Sequence, residues 1–211
     1  EAWQTFKHSR YAKNPVFQYR PMPIDPDLVK RNLYNLPIED IYDPNIAYLF
    51  RDKRRELDEM MSMLADRNTP DFVHGSLQVF GNVSDKLLNV AEAIITVIDN
   101  NKTNTPKGEE KLNAHQFAQL ATQEIEYLKL QYPELNTTVR VRNDVSGVMV
   151  NRGVLNISSN YKVSKERAEA LIQHEVGTHI ATYFNGKSQL LQLFSQGVPG
   201  YEKLQEGLAV F

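Results

Sequence analysis

Two histidines and a glutamate stand close together at residues 174–179, in the order His-Glu-Val-Gly-Thr-His. In zinc peptidases with the pattern H-E-x-x-H, the histidines lie one helical turn apart and face one metal ion, and the glutamate can hold a water molecule. Here His174 and His179 are five residues apart, which on a regular α-helix separates their side chains by about 140° around the axis. A single π-type turn would return both to one face, and we expect it at Gly177, a weak helix former.

A structural interpretation of the same segment stays open, in which one histidine is hydrogen-bonded in the core and the other is solvated. A second motif, Gln-Glu-Gly-Leu-Ala at 205–209, bears on this choice because it offers a further carboxylate near the start of another predicted helix. A carboxylate from Glu206 would complete the His₂Glu donor set of a catalytic zinc site. Spacing alone does not decide the matter, because most glutamates are solvated surface residues.

The two motifs together resemble those of a family that includes the microtubule-associated tyrosine carboxypeptidases and the bacterial flavohaemoglobin expression-modulating QEGLA motif proteins. Segments 148–157 and 73–91 resemble that family as well, so the resemblance extends over nearly the whole chain. The resemblance implies a zincin-like metallopeptidase that uses Zn²⁺ as its cofactor. Within that class it favours a metallocarboxypeptidase. The residues at the family's motif positions are the implied zinc ligands His174, His179 and Glu206 and the implied general base Glu175.

The best-understood eukaryotic members of that family remove a C-terminal tyrosine from tubulin. This sequence shows no tubulin-binding segment, and its exact QEGLA motif is more similar to the bacterial members, so the resemblance does not supply the substrate. The expected partner is the C-terminus of a peptide or protein. A carboxypeptidase needs a cation for the substrate's terminal carboxylate, and the planar fork of arginine suits this task. The candidates are Arg140 and Arg142, on one face of a predicted strand, and Arg152, before a predicted bulge. For each of them the alternative is a solvated strand arginine without a binding role.

The competing function class is a non-catalytic protein, a helical regulatory or interaction module whose metal site is vestigial. Metal content separates the two classes. Stoichiometric zinc in the folded protein supports the enzyme, and its absence from a well-folded full-length protein supports the module.

Composition limits the other classes. The chain has 211 residues, a formal net charge of −2 and no cysteine. The balanced charge gives no support for binding nucleic acid or an anionic membrane surface, and the lack of cysteine excludes disulfides, thiol nucleophiles and Cys-ligated metals. We find no signal peptide and no apolar run long enough to cross a membrane, which favours a cytoplasmic location.

The elements that must position these residues are mainly helical. Hydrophobic periodicity and caps predict helices over residues 46–64, 85–98, 113–132 and 164–184. Asn113 and Gln116 resemble a capping box at the start of the third of these helices. Ser164 is the predicted cap of the last helix, and Asn185 and Gly186 are its predicted stop. Alternation over 138–142 and 148–157 predicts a β-hairpin that is bulged near Gly153. Residues 100–110 have the composition of an exposed loop. The predicted fold class is therefore α+β, a mainly helical domain with a small antiparallel sheet.

Proline content predicts the domain organisation. Residues 1–45 hold six of the chain's ten prolines, and we interpret them as an extended N-terminal arm. Residues 46–211 are the predicted catalytic domain. The chain stops shortly after the second motif, so we expect a truncated domain whose partner is the missing C-terminal part of its parent chain. Otherwise the last helix should be held by burial of a stripe formed by Leu204, Leu208 and Phe211.

Overall fold

The computed structural model describes residues 2–100 and 110–210, apart from the side chains of residues 99 and 100. Most of the predicted loop at 100–110 lies outside the described residues. The chain divides into two compact units, Glu1–Gly81 and Asn82–Phe211. The division into an arm and a catalytic domain at residue 45 stays a prediction, because packing does not test which segment carries activity.

The described residues form helices and short strands. The α-helices are α1 Ala2–His8, α2 Pro26–Tyr34, α3 Pro44–Ala65, α4 Phe72–Phe80, α5 Asp85–Asn100, α6 Ala114–Gln131, α7 Lys165–Ile172, α8 Ala181–Lys187, α9 Leu193–Gln196 and α10 Tyr201–Val210. A 3₁₀ turn covers Ile38–Asp40, and a π-helical segment covers Gln173–Ile180. The strands are β1 Lys111–Asn113, β2 Val139–Arg142, β3 Val148–Asn151, β4 Val154–Ser158 and β5 Lys162–Ser164.

Two helices of the first unit begin with a proline. Asp25 caps α2 and Asp43 caps α3, and each aspartate side chain accepts hydrogen bonds from two backbone amides. Pro26 and Pro44 follow these caps, at a position where the missing amide proton would have no helical partner. The expectation of an extended proline-rich stretch is therefore wrong for α2, because a proline at the first helical position starts a helix.

Helices α2, α3 and α4 pack in succession within the first unit. Lys30 on α2 donates to Ser62 on α3 at 2.8 Å and lies 3.3 Å from the Asp58 carboxylate. Helix α4 approaches α3 so closely that a Cβ on Gly75 would lie 2.9 Å from the Met63 Cα. A glycine is therefore needed where α4 crosses α3. The sequence analysis did not predict that residues 72–80 form a helix.

The core of the second unit lies between α6, β4 and the continuous helix formed by α7, the π segment and α8, which we call the motif helix. Asn113 and Gln116 form a complete capping box at the start of α6, as the sequence predicts. The side chains with no exposed surface belong to these elements and are Phe117, Ala121, Leu155, Ile157, Ala168, Val176 and Ile180. Strand β4 and the motif helix are thus fixed by packing on both sides.

The sheets differ from the predicted hairpin. Strands β1 and β5 form an antiparallel pair, and the other sheet has the order β2-β4-β3, with β2 parallel and β3 antiparallel to β4. The reversal occurs at Arg152 and Gly153, whose φ angles of 50° and 74° are those of a two-residue hairpin turn. The predicted bulge near Gly153 is therefore wrong. The fold is α+β as predicted, but the larger sheet is mixed rather than antiparallel.

The motif helix matches its predicted range with two corrections. Ser164 precedes it but makes no side-chain capping bond, and the helix continues to Lys187 through the predicted stop at Gly186. Gly186 is needed instead for close packing, since a Cβ there would lie 2.3 Å from the Phe194 carbonyl oxygen.

The apolar residues of α5 and α10 are largely exposed. Leu204 and Leu208 of α10 are 72% and 57% exposed, and Phe211 lies outside the described residues. Of the two expected ways of holding the last helix, burial of Leu204 and Leu208 is therefore wrong, and cover by another polypeptide stays a prediction. Helix α5 occurs where the sequence predicts it. Within the described ranges, no helix has the length and apolar character that a membrane span requires.

Candidate metal centre

The π-helical segment carries both histidines. It covers Gln173–Ile180 and includes Gly177, where we expected the distortion. Thr178 donates its hydroxyl proton to the Gln173 carbonyl oxygen, five residues earlier, at 3.3 Å. The added residue in this turn brings the rings of His174 and His179 together, with their centroids 4.8 Å apart. The predicted departure from α geometry and the predicted convergence of the two rings are confirmed.

Glu206 on α10 faces the same pair of rings. Its two carboxylate oxygens lie 3.6 Å from His174 Nε2 and 3.6 Å from His179 Nε2. Both distances are too long for hydrogen bonds. The three residues each present a possible ligand atom, and these atoms lie within 4.8 Å of one another.

This donor set fits a zinc ion. Zinc bonds to histidine nitrogen and carboxylate oxygen are about 2.0–2.2 Å long, so two donors of a tetrahedral site lie about 3.4 Å apart. The nitrogen–oxygen separations of 3.6 Å are close to that value. Two imidazoles and one carboxylate also leave a fourth position for water or substrate, as catalytic zinc sites do.

Glu175 lies beside this group but is not one of its three members. Its side chain is buried, and burial raises the pKa of its carboxyl above the ordinary value, with His179 and His174 acting in the opposite direction. It lines the same cleft as the two histidines and Glu206. The carboxylate can therefore act on a molecule that occupies this cleft.

The cleft has a volume of about 550 Å³ and is bordered by strand β3, the motif helix, α9 and α10. Arg152 lies on its wall. The left-handed φ angle of Arg152 places it in the β3–β4 turn. The adjoining Gly153 leaves room for the Tyr183 ring, which would lie 2.6 Å from an added Cβ. Of the three arginines singled out by sequence, Arg152 is the one that the structure brings to the cleft.

Arg140 and Arg142 do not line the cleft. They project from β2 on the face opposite to Val139 and Val141, which pack on the core. The Arg142 guanidinium donates hydrogen bonds to the Asp144 carboxylate and, at 3.2 Å, to the Asn156 side-chain oxygen. The hydrogen bond from Arg142 lowers the pKa of the Asp144 carboxyl. Arg142 thus contacts the β2–β3 connection and the central strand.

Sequence reasoning missed part of the cleft. Thr182, Phe194 and Tyr201 line it, and Gln205 does so beside Glu206. Thr182 lies three residues after His179, so its position on the same helical face could have been recognised. Phe194 on α9 and Tyr201 at the start of α10 lie outside the two motifs, and only packing brings them to the site.

Comparison with known proteins gives one match. A family model described as microtubule-associated tyrosine carboxypeptidase matches residues 4–211. No curated protein and no solved structure was found to match the chain. The family match covers nearly the whole chain and agrees with the resemblance of the two motifs. The chain therefore belongs to the microtubule-associated tyrosine carboxypeptidase family.

Proposed function

We propose that this protein is a zinc-dependent metallocarboxypeptidase with a zincin-like catalytic domain. Its family implies a carboxypeptidase-type activity, and therefore a peptide or protein as substrate. The observation that carries the proposal is the convergence of two imidazoles and one carboxylate within 4.8 Å beside an open cleft. In this proposal His174, His179 and Glu206 hold the ion.

Glu175 is the proposed general base. A zinc ion in the site would supply a Lewis acid that polarises the scissile carbonyl and acidifies a water molecule. The Glu175 carboxylate takes the proton of the attacking water and gives it to the leaving amine when the C–N bond breaks. Its place in the cleft, outside the three-donor group, supports this division between ligands and base.

Arg152 is the proposed binding residue for the substrate's terminal carboxylate. Its guanidinium can form two parallel hydrogen bonds with a carboxylate, and its position on the cleft wall supports the assignment. Arg140 and Arg142 receive no such role because they lie outside the cleft lining. We also propose a cytoplasmic location, with which the lack of cysteine is compatible.

The test measures zinc content and hydrolysis of a peptide library in the same samples. We expect one zinc per chain and release of C-terminal residues. Glu175→Gln should keep the zinc and lower turnover by at least ~10²-fold, as expected for a lost general base. Glu169→Gln is the matched control, because Glu169 is exposed on the same helix.

His174→Ala or His179→Ala should lose both zinc and activity. Release of zinc by Glu175→Gln in a folded protein would show that the division between ligands and base is wrong. A folded protein that has neither zinc nor peptidase activity would instead support the non-catalytic regulatory or interaction module.

A further inference from the structure

A hydrogen bond joins the two helices that carry the motifs. Gln205 Nε2 donates to the Thr182 hydroxyl oxygen at 2.5 Å, across 23 residues of sequence. Thr182 donates its own proton to the Thr178 carbonyl oxygen at 2.7 Å, just after the π turn. Because its proton is used within the motif helix, the Thr182 oxygen is left as an acceptor for α10.

Few other interactions fix α10. It packs on the π segment, yet none of its described residues is buried. Its apolar side chains Leu204, Leu208 and Val210 are mostly exposed. Among the described residues, the contact between Gln205 and Thr182 is the side-chain hydrogen bond that links α10 to the motif helix.

Glu206 depends on how α10 is placed. Its side chain is 59% exposed, and its carboxylate makes no hydrogen bond to either imidazole at 3.6 Å. Packing therefore holds this carboxylate only weakly. Gln205 is the adjacent residue, so an anchor at Gln205 restricts both the shift and the rotation of α10 that would move the Glu206 carboxylate.

We propose that Gln205 and Thr182 are positioning residues that hold Glu206 at the distance needed to complete the metal site. This inference rests on the proposed zinc function. Neither residue is proposed as a zinc ligand or as a catalytic residue. Their contact acts on the third ligand through the position of α10, in the way that outer hydrogen bonds orient metal ligands elsewhere.

The test is Thr182→Val, which removes the hydroxyl and keeps the branched shape. Zinc affinity, measured by competition with a chelator, should fall about 10–100-fold, the usual effect of losing an outer-shell partner. The visible spectrum of the Co²⁺-substituted protein should change, because the Glu206 donor is no longer held in place. Thr182→Ser should restore both properties.

The matched control is Thr122→Val. Thr122 is exposed on α6 and makes the same hydrogen bond to the carbonyl four residues earlier, at 2.8 Å to Ala118. This substitution should leave zinc affinity unchanged. Gln205→Leu should weaken zinc as Thr182→Val does, and the double variant should be no weaker than either single variant, because both substitutions remove one shared contact.

Hydrogen exchange in the metal-free protein separates this inference from the proposed function. Thr182→Val should increase amide exchange across Tyr201–Val210 and leave α6 unchanged. Wild-type zinc affinity and unchanged exchange in a folded Thr182→Val protein would overturn the inference. If the wild-type protein binds no zinc and Thr182→Val still increases amide exchange in α10, the zinc proposal is contradicted, but the contact still positions α10.

Discussion

The motif helix and helix α5 are both rich in apolar residues, but they are buried to very different extents. Val176 and Ile180 of the motif helix have no exposed surface, whereas Leu87, Ile95 and Val97 of α5 are 57–59% exposed. Strands β3 and β4 and helices α6 and α10 pack on the motif helix. Within its own unit, no described element packs extensively on α5. Apolar composition therefore predicts both helices, but neighbouring elements decide which is buried.

This difference explains where an irregular turn can persist. A π turn is a rare conformation and is maintained only when the surrounding structure determines it. The π segment meets this condition because it is packed on several sides in the core of the second unit. The geometry that brings His174 and His179 together thus depends on packing that α5 lacks.

The largest expected effect in this comparison is that of Ile180→Ala. Ile180 ends the π segment and is wholly buried, so its truncation should lower the free energy of unfolding by about 2–5 kcal/mol. Urea denaturation measures the change. Leu190→Ala is the control, because Leu190 is fully exposed and its loss should have little effect. A loss below about 1 kcal/mol for Ile180→Ala would contradict tight packing of the motif helix.

The hairpin turn over the motif helix should be nearly as sensitive. Gly153→Ala combines a left-handed φ of 74° with a Cβ placed 2.6 Å from the Tyr183 ring, and should cost about 2–4 kcal/mol. Gly147→Ala has the same backbone strain, with a φ of 71°, but an added Cβ meets nothing within 4 Å. It should cost only about 1–2 kcal/mol. Equal losses of stability in thermal unfolding would argue against close packing at Gly153.

Helix caps provide a smaller test of the same contrast. Asn113 caps α6, whose buried face is part of the core, so Asn113→Ala should lower global stability by about 1 kcal/mol. Ser84 accepts a hydrogen bond from the Leu87 amide at the start of α5. Ser84→Ala should increase amide exchange in α5 with little change in global stability. A global loss as large as that of Asn113→Ala would show that α5 unfolds together with the core.

Local patterns predicted the parts of the fold that depend on neighbours in sequence. The capping box at Asn113 and Gln116 was predicted because both partners lie within one turn. The π turn was predicted because His174 and His179, five residues apart, could not bind the same metal ion from a regular α-helix.

Long-range features were not predictable in the same way. Strand β2 pairs in parallel with β4 rather than with β3, its neighbour in sequence. The alternation of apolar residues along a strand shows which face is buried, but not which other strand it pairs with. The separation of Arg152 from Arg140 and Arg142 follows from that topology. The contact of Gln205 with Thr182 joins residues that are 23 positions apart in sequence, so no local sequence pattern predicts it.

The smallest expected effect is that of Ile95→Ser in α5. Ile95 is 58% exposed, so the substitution removes little buried apolar area and should change global stability by no more than about 0.5 kcal/mol. Urea denaturation at two protein concentrations measures this change, and Ile180→Ala under the same conditions provides the buried reference. A loss above about 1.5 kcal/mol would show that α5 is covered in solution, and the contrast between the two helices would then fail. If that loss depended on protein concentration, a second chain would be the cover, because only association responds to concentration.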